Sequence, residues 1–289
     1  MSFFMSQRFL PLFVTQYFGA YNDNTLKSAI AILITYHIAE LAGTNAHTLV
    51  SIAAAVFILP FFIFSALAGQ LADKFDRALI ARFVKLLEIV IMMLASIGFI
   101  IQSPWFLIGV LFLSGTHSAF FGPIKYAILP QHLHPNELLQ GNAYIEAGSF
   151  IAILLGTISG SILIQYHWGI YLVSLVLIIG AFLGYFSSRF IPTAPGPAPI
   201  LNINYNIIQE TRRIIRYSRI NTDVFLSIIC ISWFWFIAAT YVTQIPIYTK
   251  NCLHTEASVV TLFLTAFSIG IALGSLLCGK LLNRAIKSI

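Results

Sequence analysis

An all-α polytopic membrane protein is the fold class this sequence predicts, and three observations predict it. Hydrophobic residues fill 58% of the 289 positions and charged residues only 9%, with a mean hydropathy of +0.88; a soluble domain has about 25% charged residues. The apolar residues form continuous runs long enough to cross a bilayer as helices, not the alternation of barrel strands. The net charge of +6 is gathered into a few loops, the distribution of a membrane protein rather than of a nucleic-acid binder.

Eight spans are expected, at residues 9–36, 48–72, 79–102, 105–129, 142–165, 169–190, 222–249 and 257–282. The first carries Asn22-Asp23-Asn24 and Lys27 near its middle, where a charge costs about 2.5–3.5 kcal/mol on insertion scales. Asp23 and Lys27, four residues apart, share a helix face and can partly neutralise each other. Asn22 and Asn24 point elsewhere and widen the polar zone, so the stretch reads as the wall of a watery cavity. No cleavable leader is expected, since this run is long and broken by charges.

Spans two and three are joined by a basic loop, bracketed by Lys74, Arg77, Arg82 and Lys85. Glu88 lies inside span three and needs a partner; His117, mid-span four, reads as a packed hydrogen-bonding residue. Lys125 and Glu146 stand near the same ends of spans four and five, where they are expected to pair with each other. The spacings Gly156–Gly160, Gly180–Gly184 and Gly270–Gly274 read as close helix contacts. In span seven, Trp233-Phe234-Trp235-Phe236 radiates around the helix, so at most half of it can face one cavity.

The connection after span six differs in kind. Pro192, Pro195, Pro197 and Pro199 suggest a stiff extended linker. In residues 202–220, Ile207, Ile208, Ile214 and Ile215 oppose Arg212, Arg213, Arg216 and Arg219, the pattern of a basic amphipathic helix on an anionic leaflet. Thirteen of the 16 basic residues fall on one side of this topology, which places both ends in the cytoplasm. The expected organisation is a six-helix bundle at 1–190, a linker with its amphipathic helix at 191–220, and two further spans at 221–289.

Three scattered cysteines suit neither a disulfide frame nor a metal cluster. No phosphate-binding glycine loop or metal-ligand set appears, so no cofactor or metal is expected. His132 and Glu137 mimic the H-x-x-x-x-E spacing of a catalytic pair, but a short loop offers no substrate site. The chain does not read as an enzyme.

Gly69-Gln70-Leu71-Ala72-Asp73-Lys74 and Gly279-Lys280-Leu281-Leu282-Asn283-Arg284 share a G-x-L-x-[D/N]-[K/R] pattern 210 residues apart, each closing the second span of a half. Such repeats suggest a secondary transporter. The first, continued through Phe75, Asp76 and Arg77, resembles the signature loop of the major facilitator superfamily, with Asp76 at the usual glycine place and Ala78 at the last basic one. The resemblance makes Gly69, Asp73, Lys74 and Arg77 a conformational-gate motif, with Gly69 allowing close helix approach, Asp73 capping or facing a helix start, and Arg77 pairing with nearby acids.

Residues 16–24, 122–131 and 141–148 are similar to the bacterial lysophospholipid transporter family, a module also found fused ahead of an acyltransferase and an acyl-carrier-protein synthetase. That resemblance implies inward movement of lysophospholipids, chiefly lysophosphatidylethanolamine, across the bacterial inner membrane for reacylation. It also implies twelve spans, of which eight are visible here. A zwitterionic head needs an acid and a base: Asp23 with Asn22 and Asn24 for the ammonium, Lys27 for the phosphate, and Lys125 with Glu146 as gate or contact. The alternatives are a membrane module that docks a separate acyltransferase/synthetase without transporting, and a nonfunctional remnant.

Overall fold

A computed structural model describes residues 3–38 and 45–286 of the chain. After a 3-10 turn at Phe3–Met5, helix α1 runs Leu10–Leu33 and continues through a π-helical turn at Ile34–Ile38. Then come α2 (Ala46–Lys74), α3 (Arg77–Ile101), α4 (Pro104–His132), α5 (Leu138–Leu163) and α6 (Gly169–Ser188). A short helix α7 (Ile207–Ser218) precedes α8 (Thr222–Asn251) and α9 (Ala257–Ile286). Every expected span is a helix, and the basic amphipathic segment is α7.

Among the described residues, α2, α3, α4, α5, α6 and α8 are long and apolar enough to cross a membrane. α1 is not, because Gln16, Asn22, Asp23, Asn24 and Lys27 dilute its middle. It is tolerated because it is central: α1 packs on α5 and α6, while α2 lies along α4 and α3 along α6 and α4. α9 packs on α5, and α8 leans on α9 and the edge of α2. α8 buries only Ala238, Pro246, Ile247 and Thr249.

Small residues let α1 and α5 meet closely. A side chain at Gly160 would place its Cβ 2.3 Å from the Thr25 carbonyl oxygen, and one at Gly156 would come 2.5 Å from that of Tyr21. Gly180 of α6 touches Asn22 in the same way, at 2.3 Å from Oδ1. Gly69 and the Gly270–Gly274 spacing differ. Among the described residues, a Cβ at Gly69, Gly270 or Gly274 meets nothing within 4 Å.

Two apolar clusters build the core. One joins Leu26, Ile30, Met92, Phe99, Leu107 and Leu177; the other joins Phe9, Leu12, Ala81, Phe121, Ile124 and Ile128. Along α1, α3 and α4, the residues between them form a polar storey: Asn22 and Asp23, Lys85 and Glu88, Ser114 and His117, all buried.

The segment between α6 and α7 is extended but is not a free spacer. Ala194 accepts from the Arg77 amide at 2.8 Å and donates to the Asp76 carboxylate at 3.2 Å; Ala198 donates to the Asp73 carbonyl at 2.9 Å. Gln70 and Asn204 bond reciprocally, at 2.7 and 3.1 Å. The prolines leave few backbone donors, and those of Ala194, Ala198 and Asn204 are tied to Asp76, Asp73 and Gln70 around the end of α2.

Candidate functional site

Successive residues of a helix point about 100° apart, so 22, 23 and 24 address three different neighbours. Asn22 donates to Glu88 Oε1 at 3.0 Å and to the Leu177 carbonyl at 3.2 Å. Asp23 turns to α4, where Ser114 donates to one carboxylate oxygen at 2.6 Å and Ser118 to the other. Asn24 is half-buried and bonds back to the Ala20 carbonyl of its own helix at 2.7 Å. It joins neither cluster.

Lys27 shares the face of Asp23 but does not form an ion pair with it. Its ammonium sits 4.5 Å from the centre of the Phe57 ring on α2, and the Asp23 carboxylate is taken by hydroxyls. The helical spacing placed both charges on one side; the neighbours on that side differ, serines of α4 for one and an aromatic of α2 for the other.

A second cluster surrounds Glu88. Lys85, one turn away on α3, donates to its Oε2 at 2.6 Å, and both side chains are essentially shut from solvent. His117 Nε2 stands 3.4 Å from the same oxygen. The Lys85 ammonium lies 4.9 Å from the Phe121 ring centre and against Gly19, where a Cβ would come within 2.4 Å. Lys85 is therefore not a loop residue, as its basic neighbourhood suggests, but a core cation about 12 Å into α3 at 1.5 Å per residue. Ser118 Oγ, 3.5 Å from His117 Nδ1, joins this cluster to Asp23.

Lys125 and Glu146 also lack the expected ion pair. Glu146 accepts from the Tyr126 hydroxyl, while the Lys125 ammonium lies 4.8 Å from the Tyr126 ring centre. Tyr126, unremarked in the sequence, intervenes between acid and base.

At the basic end, Arg77 reaches three places. Its guanidinium donates to the Ala72 and Ala127 carbonyls, each at 2.9 Å, and stands 3.4 Å from Asp73. This fixes the ends of α2 and α4 to the start of α3. Asp73 does not cap a helix; it pairs with Arg77 and is otherwise open. The cap is Asp76, which accepts from the Ala78 and Leu79 amides at 2.8 and 3.4 Å, so the departure from the usual glycine has its own structural work. Lys74 lies 5.7 Å from the Phe75 ring centre.

His132 and Glu137 are occupied separately. His132 Nε2 lies 3.3 Å from the Thr193 carbonyl, while Glu137 accepts from the His134 amide at 3.0 Å and pairs with Arg8 at 3.4 Å. All four side chains of Trp233-Phe234-Trp235-Phe236 are exposed.

The intramembrane charges thus fall into two kinds. Lys85 and Glu88 neutralise each other. Asp23, Lys27, Lys125 and Glu146 have no ion pair of opposite sign within 4 Å among the described residues.

A sequence profile of the Major Facilitator Superfamily matches residues 1–289. Lysophospholipid transporter LplT of Escherichia coli O1:K1 is 26% identical over 274 residues, 93% of this chain and 65% of that protein. Its counterpart in Pectobacterium carotovorum subsp. carotovorum (strain PC1) is 24% identical over 283 residues, 96% of this chain and 66% of the relative. The chain spans about two thirds of the length of these relatives. In overall fold it resembles a crystal structure of a mutant of peptide transporter POT in complex with sulfate, with a TM-score of 0.50 at 18% identity over 82% of this chain and 49% of the other.

Proposed function

This chain belongs to the Major Facilitator Superfamily, and from that premise we propose that it serves in carrying lysophospholipids, such as lysophosphatidylethanolamine, inward across a bacterial inner membrane for reacylation. The chemical class comes from the relatives, which are lysophospholipid transporters. The observation that carries the reading is the buried Asp23 carboxylate, held by two serine hydroxyls and, among the described residues, by no cation within ion-pair distance. Serine donors hold the carboxylate in place without cancelling its charge, so a head-group ammonium is the counterion the site lacks.

Lys27, one turn along the same face, supplies a cation for the phosphate without having to break a salt bridge. Asn22 holds the Glu88 cluster and so supports the site from behind, while Asn24 widens it. Lys125, Tyr126 and Glu146, nearer the basic end, form the second contact on the path. Gly69, Asp73, Lys74 and Arg77 form the gate motif. The basic end faces the cytoplasm in this reading, with both termini on that side. The role is transport, not catalysis.

Proteoliposomes carrying the chain, loaded with labelled lysophosphatidylethanolamine, test this directly. Translocation above protein-free vesicles that falls at least tenfold in Asp23→Asn supports the assignment, about 1.4 kcal/mol or more of lost head-group binding. Unchanged flux in Asp23→Asn refutes the site.

A further inference from the structure

Helix α7 has two chemically opposed faces. Ile207, Ile208, Ile214 and Ile215 lie along one side, and Arg212, Arg213 and Arg216 lie along the other, with Arg219 at its end. All four isoleucines are exposed, from 36% to 67%, and none joins either apolar cluster. Such a helix gains little from water on its isoleucine side. It is also held at one level: α8, long and apolar enough to cross a membrane, begins four residues after Ser218. The two helix ends are therefore at most about 14 Å apart, at 3.3–3.6 Å per residue.

Between α7 and the end of α2 lies an open groove of about 1180 Å³, lined by Gln70, Asn204, Arg212 and Arg216 among polar residues and by Ile208 and Ile214 among apolar ones. Two acids also line it, each facing an arginine: Glu210 stands 3.7 Å from Arg213 and Asp73 3.4 Å from Arg77. Arg212 and Arg216 have no ion pair among the described residues. A groove with arginines, amides and an isoleucine edge, fixed at the level where a span enters, matches the two-part chemistry of a phospholipid: an anionic head and an apolar chain.

We propose that α7 lies on the surface of the membrane that α8 crosses, and that its groove takes the phosphate of an anionic phospholipid between Arg212 and Arg216, with the isoleucines in the interface. This lipid is a fixed surface partner, independent of the cargo proposed above. Guanidinium groups suit it because their planar forks bind phosphate oxygens two at a time.

The full chain with Cys230, Cys252 and Cys278 replaced by serine, and an environment-sensitive fluorophore on Ile208→Cys, reports the seating of α7. Nanodiscs of phosphatidylcholine are compared with nanodiscs containing phosphatidylglycerol. The expected result is a blue-shifted emission, quenched by nitroxides on the lipid chains, in the anionic discs only. Arg212→Gln/Arg216→Gln should lower the seated-to-free ratio about 30-fold, from the contribution of each basic residue near an anionic surface, while Arg212→Lys/Arg216→Lys should retain most of it. Near-ultraviolet circular dichroism of each variant separates loss of seating from loss of fold. Equal water exposure in both discs overturns the proposal. So does equal burial that ignores the arginines, which would be apolar packing alone, and so does a shift reproduced by inorganic phosphate, which would be a soluble-anion site.

Discussion

Replacing Lys85 by methionine removes a cation from a closed compartment and leaves the aliphatic shape in place. Lys85 and Glu88 meet at 2.6 Å with side chains 0% and 1% exposed, so solvent does not screen them. Breaking one partner of such a pair costs about 3–5 kcal/mol, whereas replacing both by apolar groups is often neutral. Asn22 at 3.0 Å and His117 at 3.4 Å remain beside Glu88 and soften the loss, which puts Lys85→Met near the lower end, about 3 kcal/mol. At about 2–4 °C per kcal/mol for a chain of 150–250 residues, thermal unfolding in detergent should drop by about 6–12 °C. Lys85→Met/Glu88→Leu should recover most of that. A single variant that melts with the parent, or a double variant no better than the single, would refute the view that this pair neutralises itself.

Gly160→Val should weaken the α1–α5 contact, because its first carbon already falls 2.3 Å from the Thr25 carbonyl oxygen; overpacking of this kind costs about 1–3 kcal/mol, readable as a lower melting temperature. Asp76→Ala removes the α3 cap and its bond to Ala194. It should cost about 1 kcal/mol, and limited proteolysis within residues 192–206 should be faster. The His134 amide, then the Arg8 guanidinium, hold the Glu137 carboxyl below the ordinary carboxylate range. A carboxylate lowered in the folded state contributes stability above its unfolded value, about 4.3, and loses it as pH falls through the folded one. Amide protection in the first turn of α5 should therefore stay flat from neutral pH to that range and decline below it, with the decline absent in Glu137→Gln.

The helices were legible because apolar run length and loop charge report directly on membrane crossing, and α7 because its isoleucines and arginines keep a 3.6-residue period. The site was legible only in part. Periodicity says which residues share a face but not what faces them, so Asp23 and Lys27 read as a pair, although one meets Ser114 and Ser118 and the other Phe57. Lys85 was hidden by its position, three residues after Arg82 and beside a basic loop. Its local signal was an acid three residues on, Glu88, within the apolar run Phe83 to Ile91. Tyr126 left no such trace, since an aromatic residue in an apolar span is unremarkable until the fold brings Glu146 to its hydroxyl. Gly69 shows the converse limit: its family signature implies a helix contact, and no described residue lies within 4 Å of a Cβ there.

The Lys85–Glu88 pair also bears on how the protein is made. Each charge alone would oppose entry of α3 into the bilayer by about 2.5–3.5 kcal/mol on insertion scales. The two stand one turn apart on the same helix, so α3 leaves the translocon carrying its own counterion. It need not wait for His117, which is synthesised later on α4. Asp23 has Lys27 one turn along its own helix but no direct bond to it; its hydroxyl partners, Ser114 and Ser118, emerge more than ninety residues afterwards. The fourth helix therefore completes the setting of a charge carried by the first, whereas α3 brings both members of its pair at once.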